Sequence, residues 1–168
     1  PFPQPMFLFD YYDASSNALQ VTLQLNDMTV SSHDVKIKVV IESGDIRIST
    51  KDNYIPSKPI ILTPGMPKRL QGSDLYDALH VNNLILKGIT RDYLLQNAGK
   101  LPEGHYNFCV TTVDYKTGKE LSLPGCMGVF LQTDQPPTII SPECGSFVKP
   151  SNPQNIQFNW QVSSAGHP

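Results

Sequence analysis

Cysteine and histidine are the side chains of this sequence that could act as nucleophiles or metal ligands. The chain has three cysteines and four histidines, and no two histidines have the spacing of a metal site. On a strand, His105 would share a face with Cys109, as a base beside a thiol nucleophile would. A disulfide explains Cys109 better. We therefore expect no catalytic residue, no metal and no cofactor, and a protein that is not an enzyme.

The argument for a disulfide begins in LPEGHYNFCV, residues 101–110. Side chains on a strand alternate between two faces, so Tyr106 and Phe108 point to one side and Cys109 points to the other. The aromatic side is the expected core face. Cys109 therefore needs a partner on a neighbouring strand rather than in the core.

A hairpin supplies that partner. The residues DYKTGKE predict a turn between antiparallel strands, and we take residues 117–118 as its loop. Cys109 then lies directly opposite Cys126, at a separation that local twist can close to a disulfide. The same register places Asp114 opposite Leu121. It also gives six residues a common apolar face: Tyr106, Phe108, Leu123, Met127, Val129 and Leu131.

Two alternatives stay open for this hairpin. Pro124 lies within the second strand and favours a bulge, and a three-residue turn would shift the register by one. Two unpaired thiols, buried as small apolar side chains, are the other interpretation. A bridge between Cys109 and Cys126 would stabilise the fold by about 3 kcal/mol through loop entropy and would indicate an oxidising compartment. Cys144 has no evident partner.

The composition is typical of a globular protein. Hydrophobic residues make up 39% of the chain and charged residues 17%, with a net charge of −2. Lysine and arginine are scattered, which argues against a nucleic-acid partner or a polybasic membrane patch. No apolar run approaches the ~20 residues of a membrane-spanning helix, and no signal peptide is visible. Because the chain starts with Pro1, we interpret it as a processed or excised piece.

Alternating apolar residues predict many short strands. In residues 18–27 and 35–44, apolar side chains recur at every second position, and Lys36 and Lys38 face outward in the second segment. Fifteen prolines favour turns and sheet edges. The predicted fold is all-β, an antiparallel β-sandwich of the immunoglobulin or fibronectin-III type.

Two short helices are predicted in the connections of this sandwich. Ser73 can cap a helix through DLYDAL, and Thr90 can cap a second one through RDYLLQN. Ile89 and Leu94 have the spacing of a hydrophobic staple around the second cap. Both helices are too short to form a layer of their own.

A Pro-rich stretch, QTDQPPTIISPECGSFVKPSNPQ, separates two parts of the chain. Residues 1–135 are sufficient for one sandwich domain. Residues 136–168 contain one clear strand, NIQFNWQV, and are too few for a second sandwich. We interpret them as the incomplete beginning of a fibronectin-III-like module, whose unfinished sheet edge invites another chain.

The first part of the chain resembles the TANFOR domain, a module of secreted and cell-envelope proteins of Bacteroidota. The segments that carry the resemblance, in order, are LQVTLQLNDMT, VKIKVVIESGDIRIST, PIILTPGMPKRLQGSDL, NNLILKGI and LPEGHYNFCVTTVDYKTGKELSLPGCMGVFL. The trailing PPTIISPECGS and NIQFNWQV are similar to the fibronectin-like module that commonly follows. The resemblance implies an exported protein of the periplasm, outer membrane or cell surface, associated with type IX secretion, gliding motility or adhesion. It implies no catalytic residues.

Two functions follow from these observations. The leading hypothesis is a non-catalytic module that contacts other envelope or surface proteins, in part through its incomplete C-terminal β-module. The alternative is a carbohydrate-binding module, in which exposed aromatic side chains stack on sugar rings. The residues considered for that role are Tyr11, Tyr12, Tyr54 and Tyr115.

Overall fold

The structure is a computed structural model that describes residues 5–133, 138–147, 149–150 and 152–161. Its contacts divide the chain into two units, Pro1–Gln132 and Thr133–Pro168. This division lies close to the predicted domain boundary. The structure is 40% strand and 14% helix, with antiparallel sheets and only short helices, which confirms the predicted all-β sandwich.

The described part of the first unit has eight strands, two short α-helices and three 3₁₀ turns. The strands are β1 (Gln20–Leu23), β2 (His33–Ser43), β3 (Ile46–Thr50), β4 (Ile60–Leu62), β5 (Lys68–Gln71), β6 (Leu84–Lys87), β7 (Gly104–Asp114) and β8 (Gly125–Leu131). The helices are α1 (Tyr76–Leu79) and α2 (Arg91–Gln96), and the 3₁₀ turns are Leu8–Tyr11, Gly72–Leu75 and Val81–Asn83.

Six strands form one antiparallel sheet and the other two form a smaller one. The large sheet has the order β6-β3-β2-β7-β8, and β4 pairs with β2 on the same edge as β3. The small sheet pairs β1 with β5. Small-sheet residues Leu23 and Leu70 join Ile37 of β2 in one buried cluster. The two sheets therefore enclose the core, as the alternating pattern predicts.

One charged residue departs from that pattern. Lys36 was predicted to face outward, yet only 6% of its surface is exposed. Its Nζ donates to the carbonyl oxygen of Tyr54 at 2.7 Å and lies 5.0 Å from the centre of the Tyr54 ring. The loop that follows β3 brings Tyr54 against β2, so the ammonium group of Lys36 is buried with a partner. Burial and the nearby Lys38 lower the pKa of Lys36.

The predicted hairpin of β7 and β8 is confirmed through most of its length. Cys109 lies opposite Cys126, and the two sulfurs form a disulfide. Phe108 lies opposite Met127 in the same register. The two unpaired thiols of the alternative interpretation are therefore excluded.

The hairpin turn is longer than the two residues predicted. The N–H of Asp114 donates to the carbonyl oxygen of Lys119 at 2.8 Å, which leaves residues 115–118 as the loop. The Asp114 carboxylate accepts from the N–H of Thr117 at 2.6 Å and from its hydroxyl at 2.8 Å. These bonds stabilise a wider turn than main-chain pairing alone would favour.

The wider turn changes the register beside it. Leu121 was predicted to lie opposite Asp114, but its N–H donates to the carbonyl oxygen of Thr112 at 2.8 Å. The two registers meet at a bulge around Pro124, where a bulge was expected because proline has no N–H for the ladder. The hydroxyl of Ser122 accepts from the Thr112 N–H at 3.0 Å and so replaces a main-chain acceptor.

The predicted apolar face of β8 is buried only at its far end. Val129 and Leu131 are buried, whereas Leu123 is 89% exposed and Met127 is 43% exposed. Leu123 lies in the bulge, outside the paired part of the ladder. The predicted burial of Leu123 and Met127 is therefore wrong, because no strand among the described residues covers them.

The two helices differ in how well their caps were predicted. Thr90 caps α2 as expected, accepting from the Tyr93 N–H at 3.1 Å. Ser73 is not a cap, because it lies inside the 3₁₀ turn Gly72–Leu75 that precedes α1. Gln71 and Asp74 form the capping box of that turn instead.

The described residues of the second unit form one short antiparallel ladder. Strand β9 (Thr138–Ser141) pairs with β10 (Asn159–Gln161). The strand predicted in NIQFNWQV is thus shorter in the structure, and Val162 lies outside the described residues. The side chains of Ile156, Phe158 and Trp160 are exposed, as is the free thiol of Cys144. The assignment of this unit to a fibronectin-III-like module stays a prediction.

We predict that the Cys109–Cys126 disulfide stabilises the first unit by about 3 kcal/mol, because it closes a loop with a sequence separation of 17. Denaturant unfolding with and without reductant measures this difference. Thiol titration of the unfolded chain should find one reactive thiol before reduction and three afterwards. Cys144→Ser is the control and should not change the stability. Three reactive thiols without reductant would contradict the bridge.

A second prediction concerns the buried hydroxyl of Thr50. It accepts from the Val39 N–H at 2.9 Å and donates to the carbonyl oxygen of Ala78 at 2.9 Å, joining β2, β3 and α1. Thr50→Val should lower the free energy of unfolding by about 1–3 kcal/mol, because Val39 would keep an unsatisfied buried donor. Thr50→Ser retains the hydroxyl and should cost less. Equal losses in urea unfolding of the two variants would show that the hydroxyl does not matter.

Candidate functional site

An open groove of about 740 Å³ runs along β1 in the first unit, and we call it the β1 groove. Its lining comes mainly from residues 19–27, from hairpin residues 121–123 and 125–127, and from the core-facing side of β7 at Phe108, Val110 and Thr112. The lining combines leucine, valine and phenylalanine side chains with amides and hydroxyls. A mainly apolar surface with a few polar groups is typical of a binding site.

Both strands that border the groove have an unpaired edge within the part of the chain that the structure describes. β1 pairs with β5 alone, and β8 pairs with β7 alone. Every residue from 19 to 27 lines the groove, so β1 presents main-chain atoms to it as well as side chains. An unpaired edge offers a row of N–H and C=O groups to another strand.

Apolar side chains on the hairpin side of the groove are open to solvent. Leu121 is 46% exposed, and Leu123 and Met127 are exposed as described above. In a complete sandwich this position would be covered by a third strand beside β1. The groove therefore has both the free backbone and the free apolar surface that an added strand would use.

Two ionisable side chains of the described residues line the groove, those of Asp27 and His33. His33, which lines the groove, has its Nε2 at 2.9 Å from Oδ2 of Asp114. Hydrogen bonds from the N–H and hydroxyl of Thr117, and then from His33, hold the pKa of Asp114 well below its usual range. The main-chain N–H of Lys116 also donates to this carboxylate at 3.0 Å. A carboxylate beside the groove therefore holds the His33 side chain in place.

The four tyrosines considered for sugar binding are not brought together. Tyr11 and Tyr54 are buried in the core, so their stacking on a ligand was wrongly predicted. The hydroxyl of Tyr115 donates to the carbonyl oxygen of Pro56 at 3.4 Å. Tyr12 is half-buried and lies beside Tyr76, which the sequence reasoning did not select.

Tyr12 and Tyr76 belong to a second cavity, of about 700 Å³. We call it the aromatic pocket. Its lining residues are Phe9, Asp10, Tyr12, Asp13, Ala14, Ser57, Ser73, Tyr76 and Asp77. The FDYYD run near the N-terminus was the visible signal for half of it. The other half comes from Ser57, Ser73 and the first turn of α1, and no local pattern connects the two halves.

The residues considered for catalysis have other roles. Cys109 is held in the disulfide, so the His105–Cys109 nucleophile pair does not exist in this structure. The His105 ring instead packs on Phe130, with 4.6 Å between the ring centres. Across residues 5–133 and the described parts of the second unit, no three acidic, histidine or cysteine side chains are placed to hold a metal. No described helix is long and apolar enough to cross a membrane.

Comparison with known proteins finds no family model, no curated protein and no solved structure that matches this chain. The resemblance to the TANFOR domain is neither supported nor contradicted by this result and stays a prediction. The geometry of the two cavities is therefore the main basis for a function.

We predict that Asp114→Asn destabilises the hairpin in a pH-dependent way. Because the folded-state pKa of Asp114 is lowered, its carboxylate contributes stability above the unfolded pKa of about 4, and that contribution is lost as the pH falls towards the folded pKa. The difference in Tm between wild type and variant should thus be largest near neutral pH and shrink below about pH 4.

Asp92→Asn is the matched control for this prediction. Asp92 is exposed on α2, and its carboxylate makes no hydrogen bond to any described residue. The control should lower Tm less than Asp114→Asn does near neutral pH. A difference between Asp114→Asn and wild type that stays constant from neutral to acid pH would show that the carboxylate charge is unimportant.

Proposed function

We propose that this chain is a non-catalytic, exported module that acts by protein–protein contact in a cell-envelope or surface assembly. The observation that carries the proposal is the β1 groove, where an unpaired strand edge and exposed apolar side chains border one cavity. The TANFOR resemblance adds the setting, an envelope process of Bacteroidota such as type IX secretion, gliding or adhesion.

The proposed contact is the addition of an extended strand from a partner protein. Such a strand pairs through its main chain with β1 and directs alternate side chains into the groove. Four residues of β1 correspond to about 13 Å of strand, the length of a short strand in a globular protein. The inward side chains would be apolar, because they meet Leu123, Met127 and the side of β7.

Export is supported by the disulfide. Cys109–Cys126 lies in an exposed hairpin, and structural disulfides are rare in reducing compartments. Fractionation of the source cells provides the test. Recovery of the chain in the cytoplasm with all three thiols reduced would contradict export and leave the β1 groove untouched.

The carbohydrate-binding alternative has less support. Stacking on sugars needs two or three exposed rings in one plane, and Tyr11 and Tyr54 are buried. The rings of Tyr12 and Tyr76 are at 89° to each other rather than coplanar. We therefore propose one function rather than two.

Binding of a synthetic hexapeptide with alternating valine and threonine tests the strand-addition mode. We predict saturable binding that slows amide hydrogen exchange at alternate residues of 20–24, measured by NMR. Leu123→Asp should weaken the binding at least about tenfold, because a charge replaces apolar contact area that the strand would cover.

Ile55→Asp is the matched control, since Ile55 is 79% exposed and lies outside the groove. It should leave the affinity unchanged. A peptide with proline at its centre should not bind, because proline cannot donate to the ladder. Binding that is equally strong in Leu123→Asp and wild type, or that protects no amide of β1, would contradict the proposed contact.

A further inference from the structure

The aromatic pocket is separate from the β1 groove, and the two cavities share no lining residue. One side of it comes from the 3₁₀ turn at Leu8–Tyr11 and the loop after it. The other side comes from Ser57, Ser73 and the first turn of α1. An inference about this pocket is thus independent of the function proposed above.

Aromatic rings form the walls of the pocket. The ring centres of Tyr12 and Tyr76 are 5.3 Å apart, with the ring planes at 89°. Phe9 lies beyond Tyr12, with 5.9 Å between the ring centres. Tyr76 is 45% exposed, and its ring also packs on His80 at 4.9 Å. Perpendicular rings form a corner, and a cation in such a corner meets the electron-rich face of one ring while the second ring encloses it.

Carboxylates set the charge of the pocket. Asp10, Asp13 and Asp77 line it, and no lysine, arginine or histidine does. Asp13 accepts from the N–H and hydroxyl of Ser15, and Asp77 accepts from the N–H and hydroxyl of Ser57. None of the three carboxylates is in an ion pair with a described residue.

The carboxylates of the pocket also act on one another. Partial burial, and then the charge of Asp13, raise the pKa of Asp10 above its usual value. A cation bound nearby would favour the ionised form of Asp10 and offset the repulsion from Asp13. The aromatic rings offer electron-rich faces, and the carboxylates supply negative charge. A ligand that complements this pocket is therefore positively charged and partly apolar.

The two sides of the pocket are held together by a close main-chain contact at Gly72. This residue has φ of +50°, and a Cβ atom built on it would lie 2.7 Å from the carbonyl oxygen of Asp13 and 3.0 Å from that of Ser16. Only glycine allows this approach of the N-terminal loop to the turn before α1. The corner of rings and carboxylates is thus part of the packed structure rather than of two independent loops.

We propose that the aromatic pocket binds an organic cation, an alkylammonium or guanidinium group. A free small amine and the side chain of a lysine or arginine on another protein present the same chemistry to the rings and carboxylates. A metal ion is a poorer complement, since it would not use the aromatic faces. A neutral sugar would use neither the perpendicular rings nor the unpaired charge.

Titration with tetramethylammonium, lysine amide and arginine amide tests the proposal. We expect saturable shifts of the Tyr12 and Tyr76 ring resonances in NMR spectra. The affinity should fall as the ionic strength rises from ~0.01 to ~0.15 M, because screening weakens the attraction of the carboxylates.

Variants on each side of the pocket locate the site. Tyr76→Ala should weaken binding roughly threefold to thirtyfold, and Asp10→Asn about twofold to fivefold. The matched controls are Tyr93→Ala and Asp92→Asn, which change a tyrosine and an aspartate of α2 outside the pocket. These controls should bind the cations as wild type does. Tyr76→Phe retains a ring and should also retain binding.

A tripeptide with a central lysine distinguishes the two sources of the cation. Tighter binding than lysine amide would assign the pocket to a protein partner, and equal binding would assign it to a free amine. Saturable binding of Ca²⁺ or methyl glucoside at these resonances without a response to the amines would overturn the proposal. So would amine binding that Tyr76→Ala and Asp10→Asn leave unchanged. None of these outcomes depends on the peptide experiment at the β1 groove.

Discussion

Pairing of β7 with strands on both of its edges is the interaction on which the first unit depends. β2 pairs with it over residues 35–42 and β8 over residues 125–131. Its core-facing side contributes Tyr106 and Phe108 to the buried cluster and Val110 and Thr112 to the β1 groove. The same strand is bonded covalently to β8 through Cys109. Core, groove and disulfide therefore all require one register along β7.

That register could be predicted because two independent requirements coincide in it. Alternation of Tyr106 and Phe108 defines the core face, and the pairing of Cys109 with Cys126 defines the opposite residue. Near the turn, neither requirement applies. There the hydrogen bonds of the Asp114 carboxylate and the Ser122 hydroxyl determine the local geometry. These bonds depend on where the side chains lie in the folded hairpin, which periodicity does not indicate. Prediction therefore succeeded along the ladder and failed at the turn.

Burial of individual side chains was harder to predict than strand positions. Lys36 has the polar position of its strand but is buried because Tyr54 covers it, and Tyr54 is distant in sequence. The same limit applies to both candidate sites. Among the described residues β1 has a neighbour on only one edge, which leaves the β1 groove open, and Gly72 lets the two segments that form the aromatic pocket meet. Neither condition is visible in a local pattern.

The unequal size of the two sheets explains why a groove occurs in this position. The two-stranded sheet cannot cover the whole face of the six-stranded one. The 3₁₀ turns and the short helices cover part of the remainder with buried residues such as Leu8, Leu75 and Leu94. That covering stops before the bulge of β8, where Leu123 and Met127 are exposed beside the free edge of β1. An exposed edge next to apolar side chains favours association, and natural sheets usually protect such edges with charge or with covering elements. The open edge of β1 therefore favours aggregation, and a bound partner strand would prevent it. This is the physical argument for the partner strand that we propose at the β1 groove.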